Sequence, residues 1–62
     1  MLVYESMFVV CIQGVDLNFY PICRYYTFDE AYKFILKQVC IYGHQITRYK
    51  VLHNDFEIRF IK

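Results

Sequence analysis

The run from Thr27 to Gly43 constrains this chain more than any other stretch. Thr27, Asp29 and Glu30 open it in the T-x-x-E pattern of a capping box. The Thr27 hydroxyl is placed to accept from the Glu30 N–H, and the Glu30 carboxylate to reach back to the Thr27 N–H. Both acids also sit at the positive end of a helix dipole. Gly43 stands where a left-handed C-terminal residue is wanted. Neither proline nor glycine interrupts the span, so these signals predict one helix over residues 28–42.

At helical periodicity Phe28, Ala31, Tyr32, Ile35, Val39 and Tyr42 share one broad arc, the face expected to pack on a sheet. Glu30, Lys33 and Lys37 lie opposite, with Glu30 and Lys33 spaced for a weak favourable pair. Phe34 and Ile41 fall outside the arc, two turns apart beside the charged face. They read either as ordinary surface apolar residues or as a second stripe that contacts another chain.

The flanks alternate as strands. Residues 7–13 are apolar on both faces, as in a central strand covered from two sides. A turn at Gly14, Val15 and Asp16 leads to a returning strand over 17–25, where Pro21 demands a sheet edge or a bulge. With that turn Cys11 pairs near Phe19, which leaves Cys23 roughly 13 Å along the ladder at strand rise. That is beyond the ~7 Å limit for a disulfide. After Gly43, residues 45–52 read as a third strand, His53 to Asp55 as a turn, and 56–61 as a fourth strand. Val51 is expected opposite Ile58, Tyr49 opposite Phe60, Lys50 opposite Arg59 and Arg48 opposite Ile61. Residues 1–6 read as a lead-in that extends the first strand.

A right-handed crossover through the helix leaves room for the first strand in the middle. The expected fold is α+β, a ββαββ arrangement with one helix on a four-stranded antiparallel sheet of order 2-1-3-4. It is expected to form a single domain over 1–62.

Composition sharpens this. A chain of 62 residues buries only about 60% of its unfolded surface. Yet 58% of these residues are hydrophobic and 21% aromatic. One helix on one sheet has a single interior layer, so large apolar side chains are expected to face solvent or a partner. The net charge of +1 gives no global pull toward nucleic acid or membrane. No basic leader precedes a long apolar run, and the run at 7–12 is too short to span a bilayer. Cys11, Cys23 and Cys40 are an odd number without a C-x-x-C pair. They point to a reducing cytoplasm and to thiols acting as small buried hydrophobes. The initial Met, with no linker or tag, leads to the expectation of a complete natural protein.

Catalytic and cofactor motifs are not legible. Ser6 is the only serine, so a triad would have to be built at a strand entrance. The cysteines lie in apolar runs, where a thiol pKa rises. His44 is placed to meet the helix C-terminus and His53 to serve as a polar turn residue. Neither belongs to a metal-ligand spacing. Gly14 and Gly43 are isolated and make no phosphate loop. Asp16, Asp29, Glu30 and Asp55 are accounted for by turns and capping, which leaves no paired acid–base site. The expectation is a non-enzyme with no cofactor and no metal.

Thr27-Phe28-Asp29-Glu30-Ala31 follows a hairpin and opens a helix that closes through Gly43 and Thr47-Arg48 toward another strand. This layout resembles small bacteriophage proteins that bind and disable a host enzyme or defence complex. Phage inhibitors of host RNA polymerase have a similar hairpin–helix–strand order. The likeness spans about the middle half of the chain. An additional aromatic C-terminal strand and a lower acid content depart from those inhibitors, so neither their target nor their binding residues carry over. The resemblance implies an antagonist acting in the host cytoplasm.

Two functions follow as expectations. The first is a homodimeric interaction module that occupies a surface of a host protein, with Phe34, Ile41, Tyr20, Tyr25 and Tyr26 at interfaces. The uncovered sheet face or the Phe34–Ile41 stripe would serve self-contact. The second is a nucleic-acid-binding module in which Arg48, Lys50 and Arg59 cluster on the outer face of the last hairpin beside stacking tyrosines.

Overall fold

The computed structural model describes residues 7–61; the expected lead-in at 1–6 lies outside them. The elements are β1 (Phe8–Gln13), β2 (Phe19–Tyr25), α1 (Phe28–Tyr42), a 3-10 turn (Ile46–Arg48), β3 (Tyr49–His53) and β4 (Phe56–Arg59). The strands form one antiparallel sheet in the order β2-β1-β3-β4, with α1 across one face. The fold is therefore the α+β, ββαββ arrangement read from the sequence.

Helix α1 begins and ends where its capping residues dictate. Thr27 is extended, and its hydroxyl accepts from the Glu30 N–H at 3.2 Å. The Glu30 carboxylate accepts from the same hydroxyl rather than from the Thr27 N–H, so the box closes side chain to side chain. Lys33 accordingly pairs one turn back with Asp29 at 3.5 Å and not with Glu30. At the other end Gly43 takes φ 69°, a left-handed conformation that costs glycine least, and its N–H donates to the Val39 carbonyl.

Ala31 and Ile35 are fully buried and meet Val10, Tyr49 and Val51 to form the core. Phe8, Ile12, Cys23, Tyr25, Ile58 and Phe60 pack around it, which identifies the alternate residues of each strand that face the helix. Phe34 joins this margin, while Tyr42 is 64% exposed. The buried arc of α1 thus reaches Phe34, beyond the arc expected from periodicity. Tyr42, which lies on that arc between Ala31 and Ile35, is exposed because it stands in the last turn. Tyr49 is the largest fully buried side chain, and its hydroxyl meets His44 Nδ1 at 2.7 Å. A buried hydroxyl without that partner would cost about 1–3 kcal/mol.

Three local features depart from expectation. The β1–β2 connection is longer than a three-residue turn. It is closed by hydrogen bonds from Gly14 N to Asn18 O and from Leu17 N to Gly14 O. Asp16 gathers the Asn18 N–H and the Tyr20 hydroxyl. A Cβ at Gly14 would lie 3.0 Å from the Tyr20 ring. Leu17 takes φ 72° there, a conformation in which a Cβ is strained.

The longer loop and a bulge between Val10 and Cys11 shift the hairpin. Cys11 pairs with Pro21 and Val10 with Cys23, so Cys23 is a near neighbour of Cys11 and not distant along the ladder. The two thiols remain free, because Cys23 shares Val10's helix-facing side while Cys11 points to the other.

The segment before β3 coils into the 3-10 turn instead of extending the strand. Arg48 Nε there donates to the Gln13 carbonyl at 3.1 Å, so Arg48 is not paired opposite Ile61. The last hairpin keeps its expected register, Val51 with Ile58 and Lys50 with Arg59, but β4 ends at Arg59 before Phe60 joins the ladder. Asn54 and Asp55 form its tip at φ 51° and 70°. His53 belongs to β3 and stacks on Phe8 at 3.8 Å between ring centroids, an aromatic contact in place of a polar turn role.

Candidate functional site

The two faces of the sheet differ in chemistry. On the side away from α1, Lys50 Nζ lies 4.5 Å and Arg59 Cζ 5.0 Å from the centroid of the Phe19 ring. Glu57 holds both cations, at 3.6 Å to Lys50 and 2.9 Å to Arg59. Arg59 donates to the carboxylate, and this donor holds the Glu57 carboxyl below its ordinary range. Beneath this layer Cys11 is only 2% exposed, and burial pushes its thiol pKa up. The part of this face around Cys11 and Phe19 is therefore covered by its own long side chains, which keep apolar stems down and charges outward. Arg24, paired with Val9, shares this side.

Of the three cations expected to cluster on it, Lys50 and Arg59 come together and Arg48 does not. Phe19 was not singled out by sequence reasoning. Its place under the cations follows from the hairpin register, which the loop length controls.

The apolar exposure lies elsewhere. An open groove runs between α1 and the β2 edge, lined by Tyr25, Phe34, Leu36 and Cys40, with Glu30, Lys33 and Lys37 around them. The Tyr25 and Phe34 rings pack at 5.8 Å, so these two expected interface residues form one site. Burial, the largest cause, raises the Tyr25 phenol pKa. Ile41 is 60% and Tyr26 76% exposed, on the same helix and just after the same strand. Tyr20 is separate; it lies toward the start of β2 and bonds Asp16. Leu36, 42% exposed amid a charged helix face, is the groove residue the sequence reading passed over. Its signal was an apolar residue between Lys33 and Lys37.

Chemistry-bearing groups are scattered. Among the described residues no three of His, Cys, Asp or Glu gather into a metal-binding group. Burial raises the thiol pKa of Cys23 as well as Cys11, and disfavours the nucleophilic thiolate at both. Cys40 is exposed in the groove, which corrects the expectation of three buried thiols. His44 is engaged by Tyr49 and stacks on Tyr42, rather than capping the helix carbonyls. No helix of the described residues is long and apolar enough to cross a membrane. Neither a protein-family model, nor a curated protein, nor a solved structure matches this chain.

Proposed function

We propose that this chain is a non-enzymatic interaction module that acts as a homodimer and occupies a surface of another protein. The bacteriophage antagonists it resembles, which act in the host cytoplasm, are the setting this reading fits best. One observation carries it: Tyr25, Phe34, Leu36 and Cys40 line a groove that no part of the described chain covers, with Tyr26 and Ile41 exposed nearby. Aromatic anchors in a groove with a charged rim are the usual composition of a binding hot spot.

Capture of partners from host lysate on immobilised protein, comparing wild type with Leu36→Glu and Ile41→Glu, tests the reading. Both positions are at least partly exposed, circular dichroism checks that each variant is folded, and loss of the same captured protein from both variants is the expected result. Equal capture by all three proteins refutes the groove. Phe34 is a poorer probe, because it also packs against the core.

The nucleic-acid reading has Arg24, Lys50 and Arg59 on one sheet face in its favour. It is weakened by Glu57, which neutralises the patch, and by the Phe19 ring, which already lies under two cations. Salt-dependent oligonucleotide binding at low ionic strength would revive it.

A further inference from the structure

We propose that the outer edge of β4 pairs antiparallel with the same edge of a second copy of this chain, about a two-fold axis at Ile58. The proposal rests on the homodimer part of the reading above and supplies its geometry. It leaves the groove free for the target.

Among the described residues the sheet has two edges, β2 and β4, and they are not alike. β2 carries Pro21, which has no N–H to offer, and a bulge that breaks the regular spacing. Both are devices that blunt an edge. β4 carries neither and pairs with β3 without irregularity.

The hairpin also fixes which backbone groups of β4 point outward. Asn54 and Asp55 form a two-residue loop with positive φ at both positions, the type I′ turn. The residues flanking such a loop, His53 and Phe56, exchange both hydrogen bonds, and alternation gives the same to Val51 and Ile58. The N–H and C=O groups of Glu57 and Arg59 therefore face away from β3.

An antiparallel partner must meet outward groups with outward groups. For two identical strands this leaves three central registers: Glu57 on Glu57, Arg59 on Arg59, or Glu57 on Arg59. The first two set like charges opposite each other. The third sets opposite charges face to face twice, by symmetry. It also centres the axis on Ile58 and brings Phe56 opposite Phe60 of the second copy.

Phe56 is 74% exposed, whereas Phe60 lies against Phe28 and Tyr32 at 6.4 and 5.8 Å. Pairing thus brings the exposed ring to the margin of an aromatic cluster already in place. Read in either direction, Phe56-Glu57-Ile58-Arg59-Phe60 alternates ring, charge, aliphatic, charge, ring, with the two charges opposite in sign.

The test uses sedimentation equilibrium of the full chain and of two variants, Glu57→Arg and Arg59→Glu. Both side chains are substantially exposed, at 40% and 49%, and circular dichroism checks that each variant is folded. Wild type is expected to be a dimer. Either variant alone creates two symmetry-related like-charge contacts and weakens dimerisation by about 30-fold. An equimolar mixture of the two variants recovers the dimer. One strand then carries arginine at both positions and the other glutamate at both, so each contact across the axis again joins opposite charges. Native mass spectrometry identifies the mixed species.

Charge changes inside each chain are the same before and after mixing, so recovery reports the contact between chains alone. A wild-type monomer at high micromolar concentration overturns both the pairing and the homodimer reading. A wild-type dimer whose variants stay dimeric, or whose mixture shows no recovery, overturns the edge pairing alone.

Discussion

Ile35 and Leu36 are adjacent in α1, yet one is fully buried and the other 42% exposed. Truncating each to Ala tests the rotation of the helix on the sheet. Ile35 packs in the cluster with Val10, Ala31, Tyr49 and Val51, where a lost side chain leaves a cavity that the two-layer body fills only in part. Such truncations cost roughly 2–5 kcal/mol. A domain of this length holds about 3–9 kcal/mol in total. Ile35→Ala is therefore expected to remove about a fifth of the stability at the least, and all of it at the most. With a urea dependence of about 1 kcal/mol/M for so small a protein, the midpoint falls by about 2–5 M, or the fold is lost. Leu36→Ala loses partial burial and gains a little helix propensity, for a net change within about 1 kcal/mol. Urea titration followed by circular dichroism at 222 nm (the ordinary helix band) reads both. Equal losses, or a greater loss at Leu36, would refute the orientation assigned to the helix and the groove built from it.

Two further outcomes follow. Thr27→Ala removes the acceptor for the Glu30 N–H and is expected to cost about 1 kcal/mol, read as a lowered urea midpoint. Asp16 and Glu57 both titrate below their ordinary values of 3.8 and 4.5. The largest causes are the Tyr20 hydroxyl for Asp16 and the Arg59 hydrogen bond for Glu57. Their contribution is present above those ordinary values and is lost as pH falls through the depressed folded values. Urea midpoints should therefore drop in that acid range, and Asp16→Asn should flatten the drop.

The parts of the fold legible in the sequence are those set by neighbours along the chain. Thr27 and Gly43 bound the helix through contacts within four residues, and Asn54-Asp55 sets the last hairpin. Strand order followed from the handedness of a single crossover. What escaped depends on partners far away in sequence. The 3-10 turn places Arg48 to reach Gln13, a contact invisible to local periodicity. The β1–β2 loop is closed by Asp16 and Asn18, so its length, the bulge and the position of Cys23 all moved together.

The candidate site shows the same division. An excess of apolar side chains over interior volume was readable from composition. Where the excess would surface was not, because it depended on how far the helix rolls on the sheet and on Lys50 and Arg59 lying down over Phe19.

For the pairing proposed at β4, the proline and the bulge in β2 would also set a ceiling on size. A sheet that offers a usable border on both sides can add copies without end and grow into a fibre. Here one border is spoiled by a residue with no donor and a kink beside it, so joining at β4 consumes the single regular margin. The proposed β4 pairing would then stop at two subunits, with only the two blunted β2 borders left outermost.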